Sequence, residues 1–444
     1  MNAVNQQHVS WADIVDQEEK EKQEKKVFRR PTPVPRQSFA PIPNHPSTFG
    51  RCPKSKIEKI VVDEVSAKYI SENVSLVDSL GPLKMFHYLQ CDESSDDTTK
   101  QTRGVVRNGD KIICKTFGFS SEFSSQDVEN ITKKMSGFSQ CKFFESKEGA
   151  MIRLFFFGGY WHVATHRRLN AFQSKWGIHT DSFGDMFVEA LDWESQYGSL
   201  KEVISVQNPD ELLDCFCNLL DQKKTYTFLV CNNELNRIVC QAPEHPTLYF
   251  IGSFDTTTHM LVEGNDSHIS FPPSHSFTTL EELCKFVDNC DWKTMAGITV
   301  YMPNQTQMKI TSPTYLKYFA VRGNEPSIKF RYLQVRTNPE TVKMLMELYP
   351  EYQNDFIMYE DFLIYVSQCV AHAYNVRYVQ KQFIRVPQEQ YFVLQHCLEI
   401  VSSPQKEKLI TDMSPSSILK YMNTLNATNL NHLVKTCITP PTQQ

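Results

Sequence analysis

The chain has 444 residues, 41% of them hydrophobic and 12% aromatic, enough for a packed core in two or three domains. A formal net charge of −5 excludes a general polyanion binder, and 16 glycines argue against a glycine-rich phosphate-loop architecture. The thirteen cysteines include no Cys-x-x-Cys pair, which leaves neither a disulfide framework nor a zinc site and points to scattered thiols in a reducing compartment.

Residues 1–56 carry ten Lys/Arg against six Asp/Glu and seven prolines between Pro31 and Pro53. This composition predicts a disordered tail, because too little apolar surface is available to offset the entropy of ordering. Within it, Ser10-Trp11-Ala12-Asp13-Ile14-Val15-Asp16 places Trp11, Ile14 and Val15 on one face of an incipient helix that Ser10 can cap. Two readings stand side by side: an anchor at residues 9–16 that folds into a partner's groove, or incidental hydrophobicity in a tail. The start is polar, and no run approaches the roughly 18 apolar residues that span a bilayer, so a cytoplasmic protein without a membrane partner is expected.

Residues 57–325 alternate short strand patterns with helices. Strands are predicted at 104–107, 111–115, 150–157, 160–165, 226–231, 237–241, 248–253, 297–302 and 308–311, with hairpin turns at Asn108-Gly109 and Gly158-Gly159. Helices are predicted at 124–136, 182–190, 209–220 and 279–289. Hairpin-linked strands with interspersed helices give an α+β class with antiparallel sheets. Residues 326–444 form a helical C-terminal domain, with one last strand pattern at 331–336 and helices at 339–348, 359–376, 388–401 and 414–425.

A series of segments in this middle region resembles the phage-type RNA ligase 1 branch of the covalent nucleotidyltransferases, and ligase-related proteins of large nucleocytoplasmic DNA viruses. Arg103-Gly104 matches the family's phosphate-contacting Arg-Gly pair. Phe119 stands where the family's Pro-Phe-Pro-Lys-Phe-Phe-Asn segment has its lysine. Glu148-Gly149 matches the end of the nucleophile motif Lys-x-Asp/Glu-Gly, but the lysine position is Ser146. Phe228-Leu229 followed by Asn236-Arg237-Ile238-Val239 matches a Phe-Glu strand and its sequel, with the glutamate replaced. Ala296-Gly297 and Lys309-Ile310-Thr311 match the fourth and fifth motifs, again with charges lost at Ala296 and Thr311. The tail patch similarly resembles a Ser-Trp-Ala-Asp-x-Val-acidic segment of some eukaryotic translation initiation factors, which makes a translation factor the expected kind of protein partner.

The resemblance implies a ligase (ATP-grasp-like) nucleotidyltransferase domain whose chemistry is degraded. Adenylation needs an unprotonated lysine and a carboxylate-held metal, and neither Ser146 nor Ala296 supplies them. No catalytic residue, metal or cofactor is therefore expected. The alternatives are an active ligase that uses ATP, Mg and Lys147, re-aimed by a bulge, or a structural protein that keeps only the fold. A pocket without its nucleophile implies a reader of RNA 5′ ends, including capped mRNA. Arg103, Arg153 and Lys309 would take phosphates; Tyr160, Trp161, Phe228 and Glu148 would take the base. His166, Arg167, Arg168 and Lys175 form the candidate RNA-backbone cluster, in host cytoplasm if the protein is viral.

Overall fold

The computed structural model describes residues 62–176, 181–204, 211–323, 325, 327–405 and 408–438. The tail patch Trp11, Ile14 and Val15 lies outside them. Two compact units divide between Lys317 and Tyr318, within the helix Pro313–Arg322, eight residues ahead of the boundary expected from sequence.

The first unit is α+β, with three sheets. An antiparallel sheet joins β1 (Val74–Leu80), β2 (Leu83–Tyr88), β3 (Arg103–Asn108) and β4 (Lys111–Cys114) in sequence order. A second contains β5 (Ser121–Ser124), β6 (Lys142–Ser146), β12 (Ser274–His275), β13 (Gly297–Tyr301) and β14 (Gln307–Thr311), in the order β12-β6-β13-β14-β5. Its one parallel pair is β14 with β5. The third contains β7 (Gly149–Phe157), β8 (Tyr160–Ala164), β9 (Lys224–Cys231), β10 (Leu248–Asp255) and β11 (Leu261–Val262), in the order β11-β10-β9-β7-β8.

Side-chain alternation assigns each face of the third sheet a neighbour. Phe228 packs with Phe187 of the helix Phe183–Gln196, with Phe216 of Leu212–Leu219 and with its cross-strand neighbour Phe250. The opposite face carries Phe155, which joins Met85 and Val106 of the first sheet, and Leu229, Ile251 and Phe254, which meet Phe144 and Tyr301 of the second. The second sheet's own outer face is closed by Leu283 and Val287 of the helix Leu280–Asp288. Ser182 and Asp185 cap Phe183–Gln196 reciprocally, which fixes where that helix starts.

Several elements depart from the sequence expectation. Segment 237–241 is not a strand: the Val239 N–H is taken by the Glu148 carboxylate and the Gln241 N–H by the Lys293 carbonyl, so neither is left for a ladder. Residues 331–336 fall largely in the helix Ile328–Val335, where Ile328, Tyr332 and Leu333 recur at helical spacing and Ser327 caps Phe330. The helix expected at 124–136 is Val128–Lys134, preceded by β5. The motif residues Ser146, Glu148 and Gly149 do not lie on one strand: β6 ends at Ser146, β7 begins at Gly149, and the two belong to different sheets.

The second unit is helical: Ile328–Val335, Pro339–Leu348, Gln353–Tyr374, Gln388–Ser402, Pro415–Met422 and Ala427–Ile438. Gln353–Tyr374 is its axis, burying Phe356, Leu363, Val366 and Val370, and Arg336 clamps Glu360 through Nε and Nη2. No helix among the described residues is long and apolar enough to cross a membrane.

Candidate functional site

The two-residue step from β6 to β7 carries the chain between the two five-stranded sheets. In-register neighbours share a face, so the pairings Phe144↔Thr299↔Lys309 and Ser146↔Gly297↔Thr311 set Ser146, Thr299, Lys309 and Thr311 on the face that looks toward Leu229 and Ile251. Glu122, the parallel partner of Lys309, joins them, accepting a hydrogen bond of 3.0 Å from Thr311 Oγ1. Ser146 is buried at 4% exposure, and its carbonyl accepts from Ala296 N–H at 2.9 Å.

Lys147 does not join this row. Its Nζ is 2.7 Å from Glu145 Oε2 and donates to the Thr294 carbonyl at 3.0 Å. Glu145 pairs with Ile298 and so shares the opposite face with Phe143 and Val300. Glu145 Oε1 also lies 3.1 Å from His275 Nε2. Burial pushes the Glu145 carboxyl up, but the hydrogen bonds from Lys147 and His275 prevail and hold it below the usual range.

Glu148 turns inward rather than toward a ligand. Its carboxylate accepts the Val239 N–H at 3.0 and 3.1 Å and the Tyr315 hydroxyl at 2.7 Å. Burial raises its pKa, opposed by those hydrogen bonds. The hydrogen bonds the structure gives it are structural, to the Val239 N–H and the Tyr315 hydroxyl, in place of the guanine-binding role the sequence suggested. It ties the Asn236–Val239 segment to the sheet step instead. Gly149 is required by close approach, since a Cβ there would sit 2.2 Å from the Val230 carbonyl oxygen on β9.

Cations gather where β3, β7 and the end of β8 meet. Arg153 is fully buried, donating through Nη1 to the Gly104 carbonyl and through Nη2 to the Thr165 carbonyl. It therefore acts as a clamp between sheets and not as a free phosphate ligand. Gly104, at φ +65°, leaves room for it: a Cβ would meet His166 O at 2.5 Å and Arg153 Nη2 at 2.8 Å. His166 is buried, and its pKa is held well below the ordinary value by burial first and then by Arg103, Arg153, His87 and Arg167. Arg103 is half-buried, and its Nε has no hydrogen-bond partner among the described residues. Arg167 and Arg168 sit in a turn whose N–H groups both reach Thr165 Oγ1. Lys175 is exposed, and the neighbouring Trp176, at 3% exposure, belongs to the core.

The proposed base-binding residues do not converge. Phe228 is fully buried on the helix-backed face of its sheet. Tyr160 and Trp161 stand at the tip of the β7–β8 hairpin, where Phe157 pairs with Tyr160. Phe157 is eight steps along β7 from Gly149, about 27 Å at 3.4 Å per residue, beyond the span of one small ligand. The structure instead adds Glu122, Thr299 and Tyr315. Glu122 stands where the family's lysine-bearing segment ends in Asn, and Tyr315 is recruited only by the tertiary fold.

Among the described residues no three His, Cys, Asp or Glu side chains are placed to hold a metal ion. The face around Ser146 offers one carboxylate, Glu122, and no amine in the nucleophile position. This donor set does not fit metal-assisted lysine adenylation.

Comparison with known proteins bears on this geometry. No family model matches the chain. The chain is similar to viral ICP-46 proteins and to ligases. It is 29% identical over 297 residues to the immediate-early protein ICP-46 homolog of Invertebrate iridescent virus 3, covering 65% of this chain and 62% of that protein. It is 24% identical over 225 residues to the “Putative bifunctional polynucleotide kinase/RNA ligase” of Autographa californica nuclear polyhedrosis virus, covering 49% of this chain and 30% of that protein. Among solved structures, an archaeal ATP-dependent RNA ligase matches at 11% identity and a TM-score of 0.35, covering 62% of this chain and 66% of that one. The chain spans less than two thirds of the length of the ICP-46 relatives it matches. The resemblance to ligases and to ligase-related viral proteins read from the motif series therefore recurs in the sequence comparison.

Proposed function

We propose that the chain is a ligase-like protein that holds phosphorylated RNA 5′ ends without forming a lysyl–nucleotide bond. One observation carries the reading: Lys147, the lysine next to the nucleophile position, is tied to Glu145 and Thr294 on the side of β6 opposite Ser146. A phosphoramidate needs an unprotonated amine aimed at phosphorus, and an ion-paired ammonium facing away is neither. The row Ser146, Thr299, Lys309 and Thr311 offers hydroxyls and one cation to a phosphate that is bound and released, beside one carboxylate, Glu122, that already accepts from Thr311. The capped-mRNA form of the idea loses its stacking residues, because Phe228, Tyr160 and Trp161 do not meet Glu148. A 5′-phosphorylated end is therefore the preferred ligand. Recruitment of a protein partner, a translation factor, through residues 9–16 and a cytoplasmic setting complete the proposal.

The test is fluorescence anisotropy with RNAs differing only in a 5′-phosphate, 5′-hydroxyl or cap, together with incubation in α-labelled ATP. Tighter binding of the 5′-phosphate that Lys309→Ala weakens supports the reading. Label that survives denaturation and disappears in Lys147→Ala overturns it and establishes an active ligase. Equal affinity for all three ends also overturns it.

A further inference from the structure

A cavity of about 540 Å³ lies at the opposite end of β7 from Ser146. It is bounded by the β3–β4 turn, by Phe156 and Phe157, and by the loop that carries Thr256, Thr257 and His259. Arg107, Lys111 and His259 line it, and Lys115, which lines a neighbouring cavity, lies near enough to act electrostatically on Arg107 and His259. The Arg107 guanidinium lies 3.8 Å over the Tyr69 ring, and its Nη1 donates to the Asp110 carbonyl at 3.0 Å, so the group is fixed in place. Lys111 is exposed on β4. Lys115 follows the end of β4 and is half-buried; burial and then the Arg107 charge push its pKa down. His259 is held at φ +58°, a conformation uncommon outside glycine, because its N–H donates to the Asp255 carbonyl at 2.9 Å. Burial, Lys115 and Arg107 lower the pKa of His259, against the opposing pull of Asp255.

The carboxylates within reach are already engaged. Asp255 Oδ1 accepts the N–H groups of Thr257 and Thr258 at 2.9 and 2.6 Å. Asp110 accepts the Tyr69 hydroxyl at 2.6 Å and lies 3.7 Å from Lys68 Nζ. Arg107 and Lys111 thus bring two cations to the cavity beside the ionised, exposed Asp110, and His259 offers a ring N–H donor to an anion between them. The adjoining hairpin tip offers half-exposed Phe157 and, at 58% exposure, Tyr160, whose ring faces are available for stacking.

We propose that this cavity is a second phosphate site, which grips the backbone of a single RNA strand through Arg107, Lys111 and His259, with the Lys115 charge close by, while Tyr160 stacks a base. The assignment to RNA rests on the end-binding reading above. Ser146 and the cavity stand near opposite ends of the buried strand β7, so an RNA that touches both must pass over the surface between them. The ends of β7 are about 27 Å apart at 3.4 Å per residue, so an RNA must be long enough to bridge that distance to touch both sites.

The experiment compares 5′-phosphorylated RNAs of four and twelve nucleotides by anisotropy over a salt series. The proteins are the wild-type full chain, Lys111→Glu, and the Lys111→Ala/Lys115→Ala double variant. The wild type binds the 12-mer at least about tenfold more tightly than the 4-mer. The double variant removes most of that gain and makes the slope of log affinity against log salt shallower by about 1.4, since each lysine that neutralises a phosphate contributes about 0.7. Lys111 is exposed, so Lys111→Glu keeps the wild-type melting temperature and reports on binding alone. Unchanged 12-mer affinity and salt slope in Lys111→Glu overturn the proposal. If 5′-phosphate and 5′-hydroxyl 12-mers bind equally while Lys111→Glu still weakens both, the end-binding reading falls and this site stands.

Discussion

Lys147 Nζ lies 2.7 Å from Glu145 Oε2, and Glu145 shares a sheet face with Phe143, not with Ser146. An ion pair on the opposite face of the sheet thus separates the retained lysine from the position where a nucleophile would act. The pair is half-buried and reinforced by the Thr294 carbonyl and by His275. Lys147→Ala is expected to cost about 1 kcal/mol by urea denaturation and to leave RNA affinity unchanged. Loss of RNA binding with an unaltered denaturation midpoint would show that Lys147 contacts ligand after all.

The brace at Glu148 gives a sharper contrast. Glu148→Ala leaves the Val239 N–H and the Tyr315 hydroxyl without their acceptor, at a cost of about 2–4 kcal/mol. Glu148→Gln keeps an oxygen that both donors can reach and removes the carboxylate whose ionisation burial disfavours. It should therefore denature close to the wild type at pH 7. A Gln variant as unstable as the Ala variant would mean that the negative charge itself is required.

Backbone proximity fixes Gly149. Gly149→Ala places a methyl 2.2 Å from the Val230 carbonyl and must part β7 from β9, at the upper end of the roughly 1–3 kcal/mol typical of overpacking. Gly158→Ala, at φ +64° but in open space, costs only the backbone strain of about 1 kcal/mol. Chemical denaturation of the two variants reads the difference, and equal losses would show that strain rather than crowding governs both.

Local chemistry explains which features were legible in the sequence. The Gly158-Gly159 turn and the helix capped by Ser182 follow from propensities within a few residues and appear in the structure, and the turn expected at Asn108-Gly109 forms one residue later, at Gly109-Asp110, because Asn108 still pairs with Lys111. The step between sheets at Lys147–Glu148 was not legible, because strand pattern alone does not say which sheet a strand joins. Segment 237–241 read as a strand because Ile238 and Val239 are β-branched and buried, while the acceptor for Val239 lies 91 residues earlier. Phe228 belongs to a motif that suggested a base platform, yet its face is set by the helix Phe183–Gln196, and no local signal reports that.

The buried histidine in the cationic junction makes stability fall in mild acid. His166 is neutral when folded, because burial and the charges of Arg103 and Arg153 oppose its protonation. In the unfolded chain its pKa returns to about 6.5. Above that value neither state binds the proton, and the folded protein keeps its full stability. As pH falls below about 6.5 the unfolded state takes a proton that the folded state refuses, so stability declines by up to about 1.4 kcal/mol per pH unit for this group. His162 and His259, also shifted down by burial, add to the decline with the same sign. His166→Gln should flatten the dependence of the urea midpoint on pH between 6.5 and 5 by one group's share, whatever its effect at pH 8. A slope that steepens instead would show His166 to be protonated in the fold, paired with an anion that offsets the surrounding arginines.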